Sequence, residues 1–146
     1  MSVRMIEKIE CPRCGIKSKM EIWHALNAQL NPEAKEKLLK DELNLFHCGT
    51  CGFEGFAPVR LLYHDMGKKF FVQFFPFSEI SDNKLLDQFT ENAELDPLDG
   101  LVPEQDTPDY SRKIHYVFSM DELVRYVIFR DMLEERKAST RQQGRR

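Results

Sequence analysis

Four cysteines in two equally spaced pairs constrain the fold of this chain more than any other feature of its sequence. Cys11 and Cys14 enclose Pro-Arg, Cys48 and Cys51 enclose Gly-Thr, and the chain has no other cysteine. A glycine follows each pair directly, where a positive φ lets the chain reverse. Two such turns supply four thiolates, the ligand set of a structural tetrahedral metal site.

The spacing of each pair is that of a metal knuckle, a tight turn in which N–H groups two and three residues later donate to the first thiolate. Pro12 sets the backbone angle for the first of these turns. A site with four protein ligands has no position for water or substrate, so we expect a structural rather than a catalytic role. The 33 residues between the knuckles, 15–47, become tied at both ends, and loss of the metal should unfold at least this half.

One zinc ion is the expected occupant. Iron in a rubredoxin-type site stays an alternative, because its knuckles and their separation are very similar. Disulfide pairs would suit a secreted protein, but the first ten residues contain no signal-peptide core. A thioredoxin-like redox pair should open a helix, whereas the residues after Gly15 alternate as in a strand.

The composition suits one domain of ordinary size. Of 146 residues, 42% are hydrophobic and 31% are charged, which allows a core and a well-solvated surface. No apolar run approaches the roughly 20 residues that span a bilayer, so we expect a cytoplasmic protein without membrane contact. The net charge of -3 conceals an asymmetry: residues 79–109 hold ten acids and one base, whereas residues 136–146 hold five bases and no acid.

Hydrophobic patterns and helix caps predict an α+β fold. Its centre is a zinc-ribbon-like antiparallel sheet with two rubredoxin-type knuckles, extended by middle strands and packed with helices. Beyond the strands beside the first knuckle, strands are expected at residues 53–57, 60–64, 69–75 and 113–118. Helices are expected where a cap or an early proline marks a start, at residues 32–40, 82–93 and 120–137.

These elements divide the chain into four parts. Residues 94–112 are rich in proline and aspartate and have no periodicity, which is typical of a long functional loop or linker. The division is therefore a zinc-ribbon-like domain (1–93), an acidic loop (94–112), a strand and helix packed on the same domain (113–137) and a flexible basic tail (138–146).

Two further groups of side chains are candidate functional residues. Tyr63, His64 and Asp65 are consecutive, so on a strand Tyr63 and Asp65 share one face and His64 lies on the other. They are weak catalytic candidates, and the alternative is a strand end whose aspartate opens a turn. Six aromatic residues form either core or a docking surface, namely Phe70, Phe71, Phe74, Phe75, Tyr126 and Phe129.

The cysteine pairs and their surroundings resemble the CpXC-domain family of bacterial and archaeal proteins. Asn31-Pro32-Glu33 with Leu38-Leu39 is similar to the family's Asn-Pro helix start, and Leu62-Tyr63-His64-Asp65 is similar to its Tyr-His-Asp stretch. The resemblance spans about residues 9–76, and the second cysteine pair departs from it in lacking the proline of the first. It implies a zinc-ribbon-like site and carries no established activity.

We therefore expect a structural-zinc module that binds an unidentified protein partner and is not an enzyme. Two alternatives stay open. A nucleic-acid-binding zinc ribbon would use the ribbon and the basic tail, and its affinity would fall steeply with salt. An enzyme would use a cleft around Tyr63, His64 and Asp65, and a His64→Ala variant would then fold normally and lose activity.

Overall fold

The computed structural model describes residues 2–81, 83–93, 110 and 113–144, so the acidic loop predicted at 94–112 lies outside the described residues except for Tyr110. Seven strands lie within these ranges: β1 Val3–Glu10, β2 Lys17–Asn27, β3 Leu45–His47, β4 Glu54–Phe56, β5 Leu61–Asp65, β6 Phe70–Phe74 and β7 His115–Val117. The helices there are α1 Pro32–Leu39, α2 Asn83–Leu86 and α3 Met120–Gln143, with a 3-10 turn at Phe77–Ser81.

Five strands form one mixed sheet in the order β1-β2-β5-β6-β7, and β3 pairs separately with β4. The α+β class is confirmed, but the expectation of an antiparallel sheet throughout is wrong. β2 runs parallel to β5 and β6 runs parallel to β7, because a long connection precedes β5 and β7 and a crossover returns the chain in the same direction. β4, expected to extend the ribbon, pairs with β3 alone within the described residues.

The main core lies between one face of the five-stranded sheet and the helices α1 and α3. Ser119 begins α3 as predicted, because its hydroxyl accepts a hydrogen bond from the Glu122 N–H at 3.1 Å. Leu123 and Val127, one turn apart on the same face of α3, are completely buried. Burial of such side chains contributes about 1.5–3 kcal/mol each, so this face of the helix is a main source of stability.

Two predicted helices end at different residues than expected. α2 ends at Leu86 rather than near Ala93, because the next N–H groups donate to carbonyls only three residues back and Asp, Thr and Asn in this stretch favour turns over helix. α3 continues to Gln143 rather than ending near Lys137, and Gly144 is its C-cap. Residues 138–143, expected to belong to a flexible tail, are therefore helical. No helix among the described residues combines the length and the hydropathy needed to cross a membrane.

One buried asparagine connects the β3–β4 hairpin to the main sheet. The Asn44 side chain accepts from the Trp23 N–H at 2.8 Å and donates to the Trp23 carbonyl at 2.9 Å. β5 pairs with β2 only from Ala25 onward, so this amide takes the place of a neighbouring strand at Trp23. The backbone carbonyl of Asn44 accepts a hydrogen bond from the Ala57 N–H at 2.8 Å, which fixes the end of β4.

Asn44→Ala should lower the free energy of unfolding by about 2–6 kcal/mol, because it leaves the N–H and the carbonyl of Trp23 without partners and each such buried group costs roughly 1–3 kcal/mol. Urea denaturation of the metal-loaded protein measures the loss. Asn92 is exposed, and Asn92→Ala is the matched control, with an expected change within about 0.5 kcal/mol. Equal, small effects of the two substitutions would contradict the conclusion that the Asn44 side chain stabilises the contact between the β3–β4 hairpin and β2.

Candidate metal centre

The four cysteine sulfur atoms converge at one point between the two hairpins. All four Sγ atoms lie within 4.8 Å of one another. Cys11 Sγ lies 3.6 Å from Cys51 Sγ, and Cys14 Sγ lies 3.6 Å from Cys48 Sγ. Four sulfurs around a tetrahedral zinc at about 2.3 Å would be separated by about 3.8 Å. The four thiols are therefore close enough together to serve as the ligands of a single ion.

The first knuckle closes the β1–β2 hairpin with two backbone hydrogen bonds. The Cys11 N–H donates to the Ile16 carbonyl at 2.9 Å, and the Gly15 N–H donates to the Cys11 carbonyl at 2.9 Å. Gly15 has a φ of 79°, which lies in the left-handed region that disfavours a side chain. The knuckle is therefore a hairpin turn that brings both of its thiols to the sulfur cluster, Cys11 buried and Cys14 exposed.

The second knuckle repeats this turn at the end of the β3–β4 hairpin. The Cys48 N–H donates to the Phe53 carbonyl at 2.7 Å, and the Gly52 N–H donates to the Cys48 carbonyl at 3.0 Å. Gly52 has a φ of 77°, so the two knuckles agree in both hydrogen bonds and in the left-handed glycine. Two copies of one turn thus face each other across the four sulfurs.

The backbone favours ionisation of the first cysteine of each knuckle. The N–H groups of Cys51 and Thr50 lower the pKa of Cys48 to about 6. Burial raises the pKa of Cys11, but the N–H groups of Cys14 and Arg13 outweigh it and leave that pKa lowered. Charge-assisted hydrogen bonds of this kind stabilise thiolates.

The second cysteine of each knuckle has a raised pKa. The Ile16 N–H favours the Cys14 thiolate, but desolvation and the neighbouring sulfurs raise the pKa of Cys14 to about 12. The pKa of Cys51 is likewise raised, by desolvation and by the sulfur of Cys11, against the Phe53 N–H. Four thiolates so close together repel one another, and a divalent cation removes that repulsion.

A small apolar cluster surrounds the sulfurs and is separate from the main core. The buried Cys11 and Cys48 pack with Phe46, and four half-exposed side chains cover them: Ile9, Met20, Cys51 and Phe53. Cys14 itself is exposed. The cysteine cluster is therefore a second, smaller hydrophobic unit at one end of the molecule, and its cohesion depends on the four cysteines.

Tyr63, His64 and Asp65 do not form one site. Tyr63 is 0% and Asp65 is 1% exposed on the helix-covered face of β5, and the Tyr63 hydroxyl has no hydrogen-bond partner among the described residues. His64 is partly exposed on the other face. Its Nε2 lies 2.8 Å from the Tyr110 hydroxyl oxygen, and its ring stacks on Phe71 at a centroid distance of 3.9 Å.

Asp65 has a structural environment. It accepts from the Gln29 side-chain amide at 2.7 Å and from the Lys68 N–H at 2.8 Å. Burial opposes its charged form, but these donors outweigh burial and lower its pKa. Lys68 Nζ then lies 2.8 Å from Asp131 of α3, which also pairs with Lys35 of α1 at 2.9 Å. Asp65 thus closes the β5–β6 turn, as the turn alternative predicts. Asp131 of α3 links Lys68 of this turn to Lys35 of α1.

Three of the six candidate aromatic residues are buried, two are partly covered and one is exposed. Phe70, Phe74 and Phe75 are buried, Phe71 lies under His64, and Tyr126 is partly buried against Phe70 and stacked on His115. Phe129 differs, with 55% of its surface exposed. Sequence reasoning missed Tyr110, because its contact with His64 joins residues 46 positions apart and no local pattern signals it.

Two matched hairpin knuckles bring four thiols together beside a mixed sheet, which is the arrangement of a four-cysteine metal-binding site. This chain belongs to the CpXC protein family, whose model matches residues 9–138. The family resemblance is thereby confirmed, and the match extends past residue 76 to include β7 and most of α3. No curated protein and no solved structure matches the chain.

Gly52→Ala should weaken zinc binding roughly tenfold, because a side chain at a left-handed φ costs about 1–2 kcal/mol. Gly49→Ala in the same knuckle is the matched control. A Cβ atom added at either position would meet no other atom within 4 Å, and of the two only Gly52 has a positive φ, so backbone strain alone separates them. Competition with a chromogenic chelator measures both affinities, and equal affinities would show that the turn tolerates the strain.

Proposed function

We propose that the chain is an interaction module in which one zinc ion, held by Cys11, Cys14, Cys48 and Cys51, fixes the shape and another protein is the ligand. The convergence of the four sulfurs within 4.8 Å is the observation that carries the metal assignment. An all-thiolate tetrahedral set suits structural zinc, and it suits a reducing compartment such as the cytoplasm.

Protein binding, rather than catalysis, is favoured by what surrounds this site. Four protein ligands leave no open position at the metal for a substrate. Tyr63 and Asp65 are buried on one face of the sheet while His64 lies on the other, so no acid–base pair converges in a cleft. By contrast, α3 exposes an apolar surface formed by Ile128, Phe129 and Met132, and exposed apolar patches of this kind mark docking surfaces.

Purified, reduced protein should contain one zinc ion per chain and be colourless. Removing the ion with a chelator should abolish hydrogen-exchange protection of β3 and β4, since a two-stranded hairpin is marginal alone and structural zinc contributes on the order of 10 kcal/mol. Cys48→Ser should act like the chelator, and added zinc should restore only the unsubstituted protein. A red protein would identify iron, and a metal-free protein with both hairpins protected would refute the module.

A nucleic-acid role is the second candidate, and one pair of lysines favours it. Lys8 of β1 lies directly opposite Lys19 of β2, and both side chains are exposed. Like charges opposite each other destabilise a sheet, and neither lysine has an acidic partner among the ion pairs of the described residues. A phosphate group between them would relieve the repulsion.

On this second candidate, the protein should bind a fluorescent oligonucleotide with an affinity that falls steeply as salt rises. Lys8→Glu with Lys19→Glu should reduce the binding and its salt slope, because two phosphate contacts are lost. Lys37→Glu, an exposed charge reversal on α1, is the control and should have little effect. Binding that is absent at low salt, or equally sensitive to all three positions, would remove this candidate.

A further inference from the structure

The outer face of α3 is apolar over about one turn at its middle, where a surface helix is normally polar. Val127 is completely buried against the sheet. On the opposite side, Ile128 is 41%, Phe129 55% and Met132 63% exposed, and Phe129 contacts the Tyr126 ring at a centroid distance of 6.2 Å. A helix that is apolar on both sides lies between two partners, and the described part of the chain supplies one of them.

The residues along this face follow the spacing of a helix–helix seam. Arg125, Ile128, Met132 and Glu135 are separated by three, four and three positions, which is the alternation of core positions in paired helices. All four side chains are exposed. The apolar pair lies at the centre of the seam, with a base one turn before it and an acid one turn after it.

The seam is complementary to itself. It is symmetric about position 130, so an antiparallel second copy places Ile128 against Met132 of that copy and Arg125 against Glu135 of that copy. Both contacts then occur twice, as they must in a two-fold interface. An unrelated partner would not require opposite charges at equal distances from the centre, and this symmetry is what identifies the occupant.

We propose that α3 pairs antiparallel with α3 of a second copy of this chain, forming a reversible homodimer through Arg125, Ile128, Met132 and Glu135. The inference rests on the proposed interaction role, for which it names the partner, and it uses no residue of the metal centre. Arg125 is free to exchange partners, because its 3.2 Å pair with Asp121 is an exposed one, with 79% of the arginine side chain accessible. A single helix pair buries a small area, so we expect a weak dimer that dissociates readily.

Sedimentation equilibrium of the zinc-loaded full chain, from about 1 µM to about 1 mM, covers the range in which small interfaces dissociate. We expect a monomer–dimer equilibrium. Arg125→Glu and Glu135→Arg should each weaken dimerisation about tenfold or more, because like charges then meet across the seam. The double variant should restore it. Met132→Ser should weaken it without any change of charge.

Lys137→Glu reverses an exposed charge on the same helix outside the seam and should leave dimerisation unchanged. A wild-type chain that stays monomeric at the highest concentration overturns the proposal, as does a double variant no stronger than the single ones, or a control as weak as they are. Zinc content and near-ultraviolet circular dichroism of every variant separate the two hypotheses. A monomer with full zinc refutes only the dimer, whereas a folded chain without zinc refutes the module.

Discussion

The cohesion of one end of this molecule depends on four sulfur atoms that share the space of a single ion. β3 and β4 contribute three residues each, and a hairpin of that size is marginal in water. Its apolar cluster around Cys11 and Cys48 is separate from the main core. A cation bound by the four thiolates would supply the cohesion that packing does not supply there. Asn44 connects this end to β2 through two hydrogen bonds to Trp23.

The position of the second knuckle in the chain explains the mixed sheet. It lies in the connection from β2 to β5, together with α1, and this connection is a crossover because β5 runs parallel to β2. The cysteine cluster thus joins the crossover back to the hairpin that precedes it. The helix of this crossover, α1, packs on the sheet as such helices usually do, and the sulfur atoms and one asparagine secure the rest of the connection.

Features fixed by neighbouring residues could be predicted from the sequence, and features fixed by distant contacts could not. The cysteine spacing, the glycines at positive φ, the proline at the start of α1 and the Ser119 cap are all local, and each is present. The parallel pairing of β2 with β5, the Asn44 bonds to Trp23 and the Tyr110 contact with His64 join residues 21 or more positions apart. Local patterns carry no information about them. The predicted end of α3 lies too early in the chain, since a basic, polar stretch with good helix formers has no signal that distinguishes a tail from a projecting helix.

β2 connects the two ends of the molecule mechanically, because it is one continuous strand that reaches both of them. Its first residue, Lys17, pairs with Glu10 beside the cysteine cluster, and Ala25 pairs with Leu62 in the middle of the sheet. Eight strand steps separate these two points, a span of about 26 Å. β1 pairs with β2 along this length, with one register shift between Val3 and Arg4, so β2 can bend only if the paired β1 bends with it. A tilt of the sulfur-bearing tip would therefore be transmitted along β2 to its pairing with β5, so the geometry of the cysteine cluster and that of the centre of the sheet are coupled.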